Sequence, residues 1–380
     1  MTAPSNNVLI VAHKFLTQPD DDLILFLNRK KYGNVAHITH SFSDAPDRIS
    51  KCVWYRDGEL YKSWRSRDYR NCPEIFVYVK ELTFTVISIF RSKIRWDMSV
   101  CMDGLCTFYA MIGRLFKRIG KVVYWAVDFV PESRFNSKIK NFVYHSINIL
   151  GYKKADEMWD LSPRMLEARE KFLGIKLEDY KKHKVVPYGV WVDRIKKYSY
   201  EECEKNTLVF MGHLLEKQGV QLVLRAIPEV IKKVPDFKFK IIGGGSYWGE
   251  LAKLVKELKV EKYCDFKGKI ENDVELEDGI AKSCVAIAPY IKSLDTWTYY
   301  ADPGKVKKYL GCGVPVLLTN VPWNASNIEK ARCGLIINED NFVKDIILLM
   351  SKDVNIEFRQ NCIKFAKSFD YNVIFSNLET

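Results

Sequence analysis

Residues 284–320, CVAIAPYIKSLDTWTYYADPGKVKKYLGCGVPVLLTN, decide the fold that we predict for this chain. An apolar run ends at Pro289, a polar loop follows, and Asp302-Pro303-Gly304-Lys305 opens a short helix. The glycine-rich segment 311–315 stops that helix before another apolar strand. This order predicts half of a parallel α/β sheet. The loop runs from the carboxyl end of a strand to the N-terminus of a helix. The free backbone N–H groups there favour a bound anion. An aspartate at this place is equally typical of an ordinary N-cap.

The length and composition bound the architecture. The chain has 380 residues, and 47% of them are hydrophobic. We expect two domains, because the chain is too long for one ordinary core. No stretch reaches the roughly 18–20 apolar residues of a membrane span. The first seven residues, MTAPSNN, lack a signal-peptide pattern, so we expect a cytoplasmic protein. Ten scattered cysteines without a C-x-x-C pair indicate reduced thiols that pack in the interior.

The positive charge is concentrated in the first half of the chain. The net charge of +12 divides into +10 for residues 1–190 and +2 for residues 191–380. Basic residues alternate with aromatic residues in two segments, 64–70 and 91–96, which contain Trp64 and Trp96. Three interpretations remain open: a solvated surface, an anionic membrane or lipid-phosphate partner, and nucleic acid. We favour the first two and expect no nucleic acid partner.

Apolar runs alternate with helical patterns along the whole chain, which is typical of βα units. In the first half we expect strands at 8–12, 35–39, 98–102, 122–127 and 158–161, with a hairpin at Asp57-Gly58. In the second half we expect strands at 208–211, 237–242, 264–266, 285–288 and 335–337. The basic, polar stretch 194–206 marks the domain boundary. The sequence therefore predicts domains at 1–190 and 191–355, and a terminal helix at 356–380.

Two glycine-containing turns are candidates for phosphate binding. Residues 212–219, GHLLEKQG, join the first strand of the second half to its helix. Glycine lets the backbone approach a phosphate, and Lys217 could neutralise an oxyanion. A tight turn with a solvated Lys217 is the competing interpretation. Residues 243–246, GGGS, follow the next strand, but their spacing is not the G-x-G-x-x-G of dinucleotide-binding loops.

Acidic residues suggest further sites in the first half. Asp103 and Asp128 both follow predicted strands, where open α/β sheets bind ligands, although either could cap a loop. Residues 20–22, DDD, contain an Asp-x-Asp, a pattern that can hold a divalent metal on a sugar nucleotide. Here it lies beside Pro19 at a helix start, where acids are favoured in any case. We therefore expect no metal site and no cofactor.

Several motifs in this order resemble the GT-B glycosyltransferases of the large retaining family 4. Residues 187–190 (PYGV) with Asp193 are similar to the link between that family's domains. Residues 212–219 resemble its G-R-L-x-x-x-K-G turn, and IIGGG at 241–245 and FKGKI at 266–270 resemble its next two strand ends. Residues 302–316 resemble its donor segment. In the first half, YWAVDFVP at 124–131 and residues 160–162 resemble the family more weakly.

The resemblance implies a fold and a set of roles. It implies an α/β protein with two Rossmann-like domains that face each other across a cleft, with the terminal helix crossing back to the first domain. The second domain would bind a nucleotide sugar and the first would bind the acceptor. The implied catalytic residues are Asp128, Lys217 and Asp302, and the implied acceptor-binding residues are His13, Asp103 and Asp128. The implied donor-binding residues are Gly212, His213, Lys217, Gly243, Gly244, Lys269, Ile270, Tyr290, Asp302, Pro303, Gly304 and Lys305.

The chain departs from the family pattern at several positions. His213 and Gln218 stand where the turn usually has Arg and Lys, and Lys217 lies one position early. The family's E-x7-E would place its glutamates at Tyr300 and Lys308. Since the second glutamate normally binds ribose hydroxyls, its replacement by lysine bears on donor affinity and identity.

The sequence leads to one functional prediction and several rivals. We expect a metal-independent, retaining glycosyltransferase that moves a hexose from a nucleoside-diphosphate sugar to a lipid-linked or glycan hydroxyl, with a peripheral place at the inner face of the membrane. The rivals are a sugar-nucleotide epimerase or phosphorylase, a non-catalytic binding subunit, and a nicotinamide oxidoreductase suggested only by the glycines.

Overall fold

A computed structural model of the chain describes residues 7–14, 18–42, 45–130, 133–294, 297–338 and 340–378. Three sequence arguments fall partly outside these ranges. They concern the N-terminal residues 1–6, Pro131 at the end of YWAVDFVP, and residues 295–296 of the donor-like segment. The chain divides into two compact units, Met1–Val186 and Pro187–Thr380. The predicted boundary after residue 190 and the predicted return of the terminal helix to the first domain stay predictions.

The first unit alternates strands and helices in the predicted manner. Its strands are β1 (Asn7–Lys14), β2 (Asn34–Ser41), β3 (Ser50–Arg56), β4 (Glu59–Arg65), β5 (Trp96–Cys101), β6 (Ile119–Ala126), β7 (Glu157–Asp160) and β8 (His183–Val185). Its helices are α1 (Pro19–Arg29), α2 (Glu74–Arg91), α3 (Gly104–Leu115), α4 (Lys138–Lys154) and α5 (Pro163–Leu173).

The first sheet has the strand order β4-β3-β2-β1-β5-β6-β7-β8. Its strands are parallel except for the hairpin β3–β4, which forms one edge. The hairpin turn at Asp57 and Gly58 has positive φ angles of 52° and 86°, as the Asp-Gly signal predicts for a two-residue loop. The strand order reverses direction between β1 and β5, so their carboxyl ends flank the crevice where open α/β sheets bind ligands.

The second unit is a second α/β sheet. Its strands are β9 (Glu204–Met211), β10 (Lys238–Ile242), β11 (Cys264–Gly268), β12 (Ser283–Ala288), β13 (Val316–Leu318) and β14 (Gly334–Ile336). Its helices are α6 (Val220–Val230), α7 (Trp248–Glu257), α8 (Asp273–Ala281), α9 (Trp297–Tyr300), α10 (Gly304–Gly311), α11 (Ala325–Lys330), α12 (Phe342–Met350), α13 (Lys352–Ala366) and α14 (Tyr371–Ser376).

All strand pairs of this second sheet are parallel, in the order β11-β10-β9-β12-β13-β14. This is the doubly wound Rossmann order, whose switch point lies between β9 and β12. Near-continuous apolar strands such as β12 are buried along their whole length, because helices cover both faces of the sheet. The predicted α/β class with two Rossmann-like sheets is confirmed.

The end of the chain packs along the link that follows the first unit. Val190 donates its N–H to the carbonyl of Phe369 at 2.9 Å and accepts from the N–H of Tyr371 at 3.2 Å. The single terminal helix predicted at 356–380 is divided into α13 and α14, and Asp370 caps α14 by accepting from the backbone N–H of Asn372 at 2.8 Å. None of the described helices combines the length and the apolar composition that crossing a bilayer requires.

Candidate functional site

The switch point of the second sheet is built from closely packed glycine turns. Gly212 donates its N–H to the carbonyl of Ile242 at 2.9 Å, and Gly243 donates to the carbonyl of Gly268 at 2.8 Å. At Gly243, where φ is +139°, a Cβ would come within 1.9 Å of the carbonyl oxygen of Gly212. Only glycine therefore lets the ends of β9, β10 and β11 approach so closely. The predicted donor turns at 212–219 and 243–245 lie side by side at this edge.

A second close approach joins the first turn to the end of β12. Gly219 has a φ of +76°, and a Cβ there would come within 1.7 Å of the carbonyl oxygen of Pro289. Ile291 donates its N–H to the carbonyl of Lys217 at 2.9 Å. The half-buried Lys217 therefore sits at the switch point, immediately before α6. The free N–H groups at the start of α6 and of α10 favour an anion at this edge.

Lys305 lies on the bare backbone of the glycine turn. Its Nζ donates to Oε1 of Gln218 at 2.6 Å and lies 4.2 Å from the ring centroid of Phe210. A Cβ on Gly212 would come within 2.7 Å of this Nζ. Burial lowers the pKa of Lys305 to about 7. Among the described residues, no carboxylate forms an ion pair with it.

Asp302, predicted to hold sugar hydroxyls, is already fully engaged. One carboxylate oxygen accepts the N–H of Tyr188 at 2.8 Å, and the other accepts the indole N–H of Trp323 at 2.7 Å. The buried ammonium of Lys307 contacts that second oxygen directly. Asp302 is only 2% exposed. Because both oxygens are engaged within the protein, Asp302 holds the start of α10 against the link, and its predicted contact with sugar hydroxyls stays a prediction.

Lys308, which replaces the family's second glutamate, belongs to a cluster of four charged side chains. Its Nζ lies 3.1 Å from Asp273 and 3.3 Å from Glu277, both on α8. Arg194 pairs with the same Glu277 at 2.6 Å. Two cations and two carboxylates balance, so the substitution does not leave an unpaired charge.

The other predicted donor residues lie around the same edge of the second sheet. Tyr290 is buried below Lys305, whose Nζ lies 5.1 Å from its ring centroid. Lys269 is exposed and pairs with Glu271 at 2.9 Å, and Ile270 packs against the core beneath. The remaining ones are His213, which is exposed, and Gly244, Pro303 and Gly304, which border the same turns.

The switch point of the first sheet brings together two of the predicted acceptor residues. His13 ends β1, and Asp103 follows β5 and caps α3 by accepting from the N–H of Cys106 at 2.9 Å. Their side chains meet, with 2.8 Å between Nδ1 of His13 and Oδ2 of Asp103. Nε2 of His13 lies 3.1 Å from Oε2 of Glu81 on α2. An imidazole held between two carboxylates is the arrangement that favours its charged form.

The electrostatics of this cluster follow from burial and pairing. Burial acts to lower the pKa of His13, but the adjacent Asp103 carboxylate raises it well above its ordinary value. Burial acts to raise the pKa of Asp103, yet His13 lowers it below its ordinary range. Neighbouring His40 is neutral, because burial and the charge of His13 hold its pKa well below its ordinary value. Asp103 is the partly exposed member, with 33% of its side chain accessible, and so can reach a ligand.

Asp128 lies apart from this pair. It follows β6, with 52% of its side chain exposed, and its carboxylate accepts from Arg134 at 3.0 Å. Arg134 also donates to the hydroxyl of Tyr144 at 3.4 Å. Burial raises the pKa of Tyr144, and both Asp128 and Asp103 add to that rise.

The Asp-x-Asp at the start of α1 already has partners for its charges. Asp20 is fully buried and accepts from His37 at 2.8 Å, and the ammonium of Lys14 contacts Asp21. Asp20, Asp21 and His37 have ligand atoms close enough to hold a metal ion, as have His13, Asp103 and Cys106. Each cluster already holds a positive charge. Lys14 supplies it beside Asp21, and His13, whose pKa is raised, supplies it beside Asp103. The predicted independence from metal stays a prediction.

Sequence reasoning missed Glu81, His40 and Lys80. Glu81 and Lys80 lie within the apolar helix α2, and Lys80 donates to the hydroxyl of Ser50 at 2.8 Å. Thr85 and Ser88 follow Glu81 on one buried face of that helix. A polar stripe on an otherwise apolar helix was the available signal, since such a face needs polar partners inside the core.

One protein-family model matches part of the second unit. Residues 205–352, less than half of the chain, match the family described as Glycosyl transferases group 1. A 63-residue segment is also 30% identical to the GDP-mannose-dependent alpha-(1-6)-phosphatidylinositol monomannoside mannosyltransferase of Mycolicibacterium smegmatis. That match covers 17% of this chain and 16% of the relative's length.

Solved structures share the fold of the whole chain. Sucrose-phosphate synthase from Thermosynechococcus elongatus has a TM-score of 0.70 at 13% identity, and 98% of each chain is covered. Anabaena HepE in complex with UDP has a TM-score of 0.67 at 14% identity, with the same coverage. The S. aureus TarM structure has a TM-score of 0.59 at 14% identity, and the match covers 87% of this chain and 63% of TarM. The predicted GT-B fold is confirmed, and the family match of residues 205–352 agrees with the predicted glycosyltransferase.

Proposed function

We propose that this protein is a family 4-like, retaining glycosyltransferase that moves a hexose from a nucleoside-diphosphate sugar to a hydroxyl acceptor. The observation that carries the proposal is the switch point of the group 1 domain. There the turn at 212–219 that carries Lys217, the N-termini of α6 and α10, and the side chain of Lys305 meet at one sheet edge. Backbone N–H groups and ammonium groups suit a diphosphate. HepE, which has the same fold, was solved in complex with UDP, which supports a nucleotide as the ligand.

The proposed chemistry assigns work to both units. The bond between the anomeric carbon and the diphosphate oxygen breaks, and Lys217 with the N-terminus of α6 stabilises the charge of the departing diphosphate. The acceptor oxygen forms the new bond on the same face, and its proton goes to the departing phosphate oxygen. Asp103 and His13 would position the acceptor hydroxyl, and Asp128 would lie near the positive charge that develops on the sugar. Asp302 acts at one remove, because it fixes the start of α10.

A donor screen tests this proposal directly. We expect UDP-, GDP- or ADP-sugars to raise the melting temperature of the wild-type protein, equally in EDTA and in magnesium, since protein cations and backbone dipoles take the place of a metal. Lys217→Ala should lower the transfer rate by about 100-fold, as loss of a comparable electrostatic donor does. Lys253→Met, on an exposed face of α7, is the control. No shift with any nucleotide sugar would reject the proposal, and a loss in EDTA that magnesium restores would reject metal independence.

A non-catalytic binding subunit is the second candidate, and Lys308 is the observation that favours it. Lysine has no carboxylate with which to bind the ribose hydroxyls, and Asp273 and Glu277 hold the ammonium of Lys308 in place. Hydrolysis or transfer of a bound nucleotide sugar by the wild-type protein would exclude this alternative. Analysis of the products formed without acceptor distinguishes the transferase and the binding subunit from an epimerase or a phosphorylase.

We further propose that the first unit binds an anionic membrane surface and takes a lipid-linked acceptor. Three helices that pack side by side, α2, α3 and α4, expose apolar side chains that a solvated surface does not require. These side chains are Ile75, Phe76, Val79, Ile87, Phe90, Leu115, Phe116, Ile139, Phe142 and Val143. Arg91 lies at the end of α2, 5.4 Å from the ring centroid of Trp64. Trp96, expected from sequence to reach the same interface, is buried in the core instead, because it begins β5.

Vesicle co-sedimentation tests this surface. Each basic residue near an anionic membrane contributes about 1 kcal/mol, and salt screens that attraction beyond about 8–10 Å. We expect binding to anionic vesicles that falls with salt and weakens when six residues are changed to Gln: Arg65, Arg67, Arg70, Arg91, Lys93 and Arg95. Changing Lys253, Lys256 and Lys259 of the second unit to Gln is the control. Equal, weak binding to anionic and neutral vesicles would reject the membrane partner.

A further inference from the structure

The lysines around the switch point of the second unit differ in one respect. Lys307 contacts Asp302, and Lys308 pairs with Asp273 and Glu277. Lys305 has only the neutral amide oxygen of Gln218 as its hydrogen-bond acceptor among the described residues. A half-buried ammonium without a carboxylate is costly, since desolvation is not offset by a counter-charge.

The surroundings of Lys305 increase that cost. It is the second residue of α10, where the helix dipole is positive and repels a cation. Its neighbours are the aromatic rings of Phe210 and Tyr290 and the unsubstituted backbone of Gly212. The residue remains partly accessible, so a ligand can reach the ammonium. An anion bound between the turn and the start of α10 would relieve both the missing counter-charge and the unfavourable dipole.

We infer that Lys305 is a phosphate-binding residue of the donor site and that its ammonium supplies the charge absent from Gln218. The inference rests on the proposed function, because it names the phosphate contact of the same site. The 2.6 Å hydrogen bond places the two side-chain ends together, although the residues are 87 positions apart. In the family's turn a lysine stands at the position of Gln218. In this chain Lys305 of α10 therefore supplies that positive charge, and it acts together with Lys217 on the diphosphate.

This placement makes donor binding depend on pH. The free Lys305 is half-protonated near pH 7, where its pKa lies. A phosphate beside it stabilises the ammonium and raises that pKa, so binding takes up a proton at pH values above 7. The groups that contact the ammonium of Lys305 from the packed elements are Gln218 on the turn, Phe210 in β9 and Tyr290 after β12. None of these is an acid that could compensate for the lost charge.

Calorimetric titration with UDP-glucose and GDP-mannose tests the inference, because their diphosphates do not titrate between pH 6 and 9. We expect the wild-type affinity for whichever probe binds to fall by up to tenfold per pH unit above pH 7. Lys305→Met should weaken binding about 10- to 100-fold at pH 6.5, the usual effect of losing a charge-assisted hydrogen bond, and should flatten the pH profile. Lys253→Met should leave the affinity and its pH profile unchanged.

A rescue variant distinguishes charge from structure. Gln218→Lys combined with Lys305→Met restores an ammonium at the same place, so this double variant should recover most of the lost affinity. If wild-type protein binds a probe and Lys305→Met binds it within twofold with the same pH profile, the inference is overturned and the proposed function stands. Failure of the double variant to bind better than a folded Lys305→Met also overturns it. If wild-type protein binds neither probe, both proposals fall.

Discussion

Replacing Asp302 with alanine should destabilise the second unit by about 3–5 kcal/mol, the usual cost of leaving one partner of a buried ion pair alone. The ammonium of Lys307 is fully buried against this carboxylate, and alanine leaves it without a counter-charge. The N–H groups of Tyr188 and Trp323 lose their acceptor at the same time. Denaturant unfolding followed by tryptophan fluorescence, with hydrogen exchange of the peptides around α10, measures the loss.

A double substitution separates this structural role from a catalytic one. Asp302→Leu with Lys307→Met replaces the pair by apolar side chains, which often restores stability when a buried ion pair is removed whole. We expect the double variant to be more stable than Asp302→Ala by at least 2 kcal/mol. If Asp302→Ala unfolds at the wild-type denaturant concentration yet loses transfer activity, the carboxylate contacts substrate, and the structural assignment is wrong.

The contacts of Asp302 show what a local sequence pattern leaves out. Its position after an apolar strand and before a helix correctly predicted a loop at the ligand-binding edge. The partners that occupy its oxygens are Tyr188, which lies 114 positions earlier, and Trp323, which lies 21 positions later. No local pattern records which distant donors will meet a carboxylate. The prediction of place was therefore sound, while the prediction of partner required the folded chain.

The glycine turns were more readable. A glycine with positive φ, or one whose Cβ would overlap a neighbouring backbone, is a local requirement, and Gly219 and Gly243 satisfy it at the predicted strand ends. The resemblance assigned both Lys217, within the turn, and Lys305, on α10, to the donor site. Only the folded chain shows that Lys305 reaches Gln218 of that turn. Sequence spacing thus predicts the backbone of the turn better than the contacts between its side chains.

The first unit shows the same limit. Asp103 and His13 were both assigned to the acceptor side, and they meet because β1 and β5 are neighbours in the sheet. Glu81 was missed because its helix lies between the hairpin and β5, and only the packing of α2 brings it to the far side of the imidazole. The apolar pattern of α2 does not mark its buried face, which carries Lys80, Glu81, Thr85 and Ser88.

Replacing His13 with glutamine should destabilise the first unit by about 3–5 kcal/mol at pH 6, because Asp103 would lose the buried imidazolium that pairs with it and Glu81 would keep only Lys80, 3.9 Å away, as a cation. The size of the effect should depend on pH. His13 has a pKa raised above its ordinary 6.5, so its contribution is fully present below pH 6.5 and is lost as the pH rises through the folded-state value. Asp103 has a lowered pKa, so its contribution is present above its ordinary 3.8 and is lost as the pH falls below that.

The difference in melting temperature between wild-type protein and His13→Gln should therefore be largest between about pH 4 and 6.5 and should narrow above pH 6.5. Cys106, His40 and Lys80 also face the cluster, but they are present in both proteins and largely cancel in the difference. Asp128→Asn, which changes an exposed acid of the same unit, controls for general charge effects. A difference that stays constant from pH 5 to 8.5 would show that His13 does not carry a proton between the two carboxylates. The acceptor site would then contain a neutral imidazole. Such an imidazole could take a proton from the acceptor hydroxyl, whereas the charged form could only orient that hydroxyl.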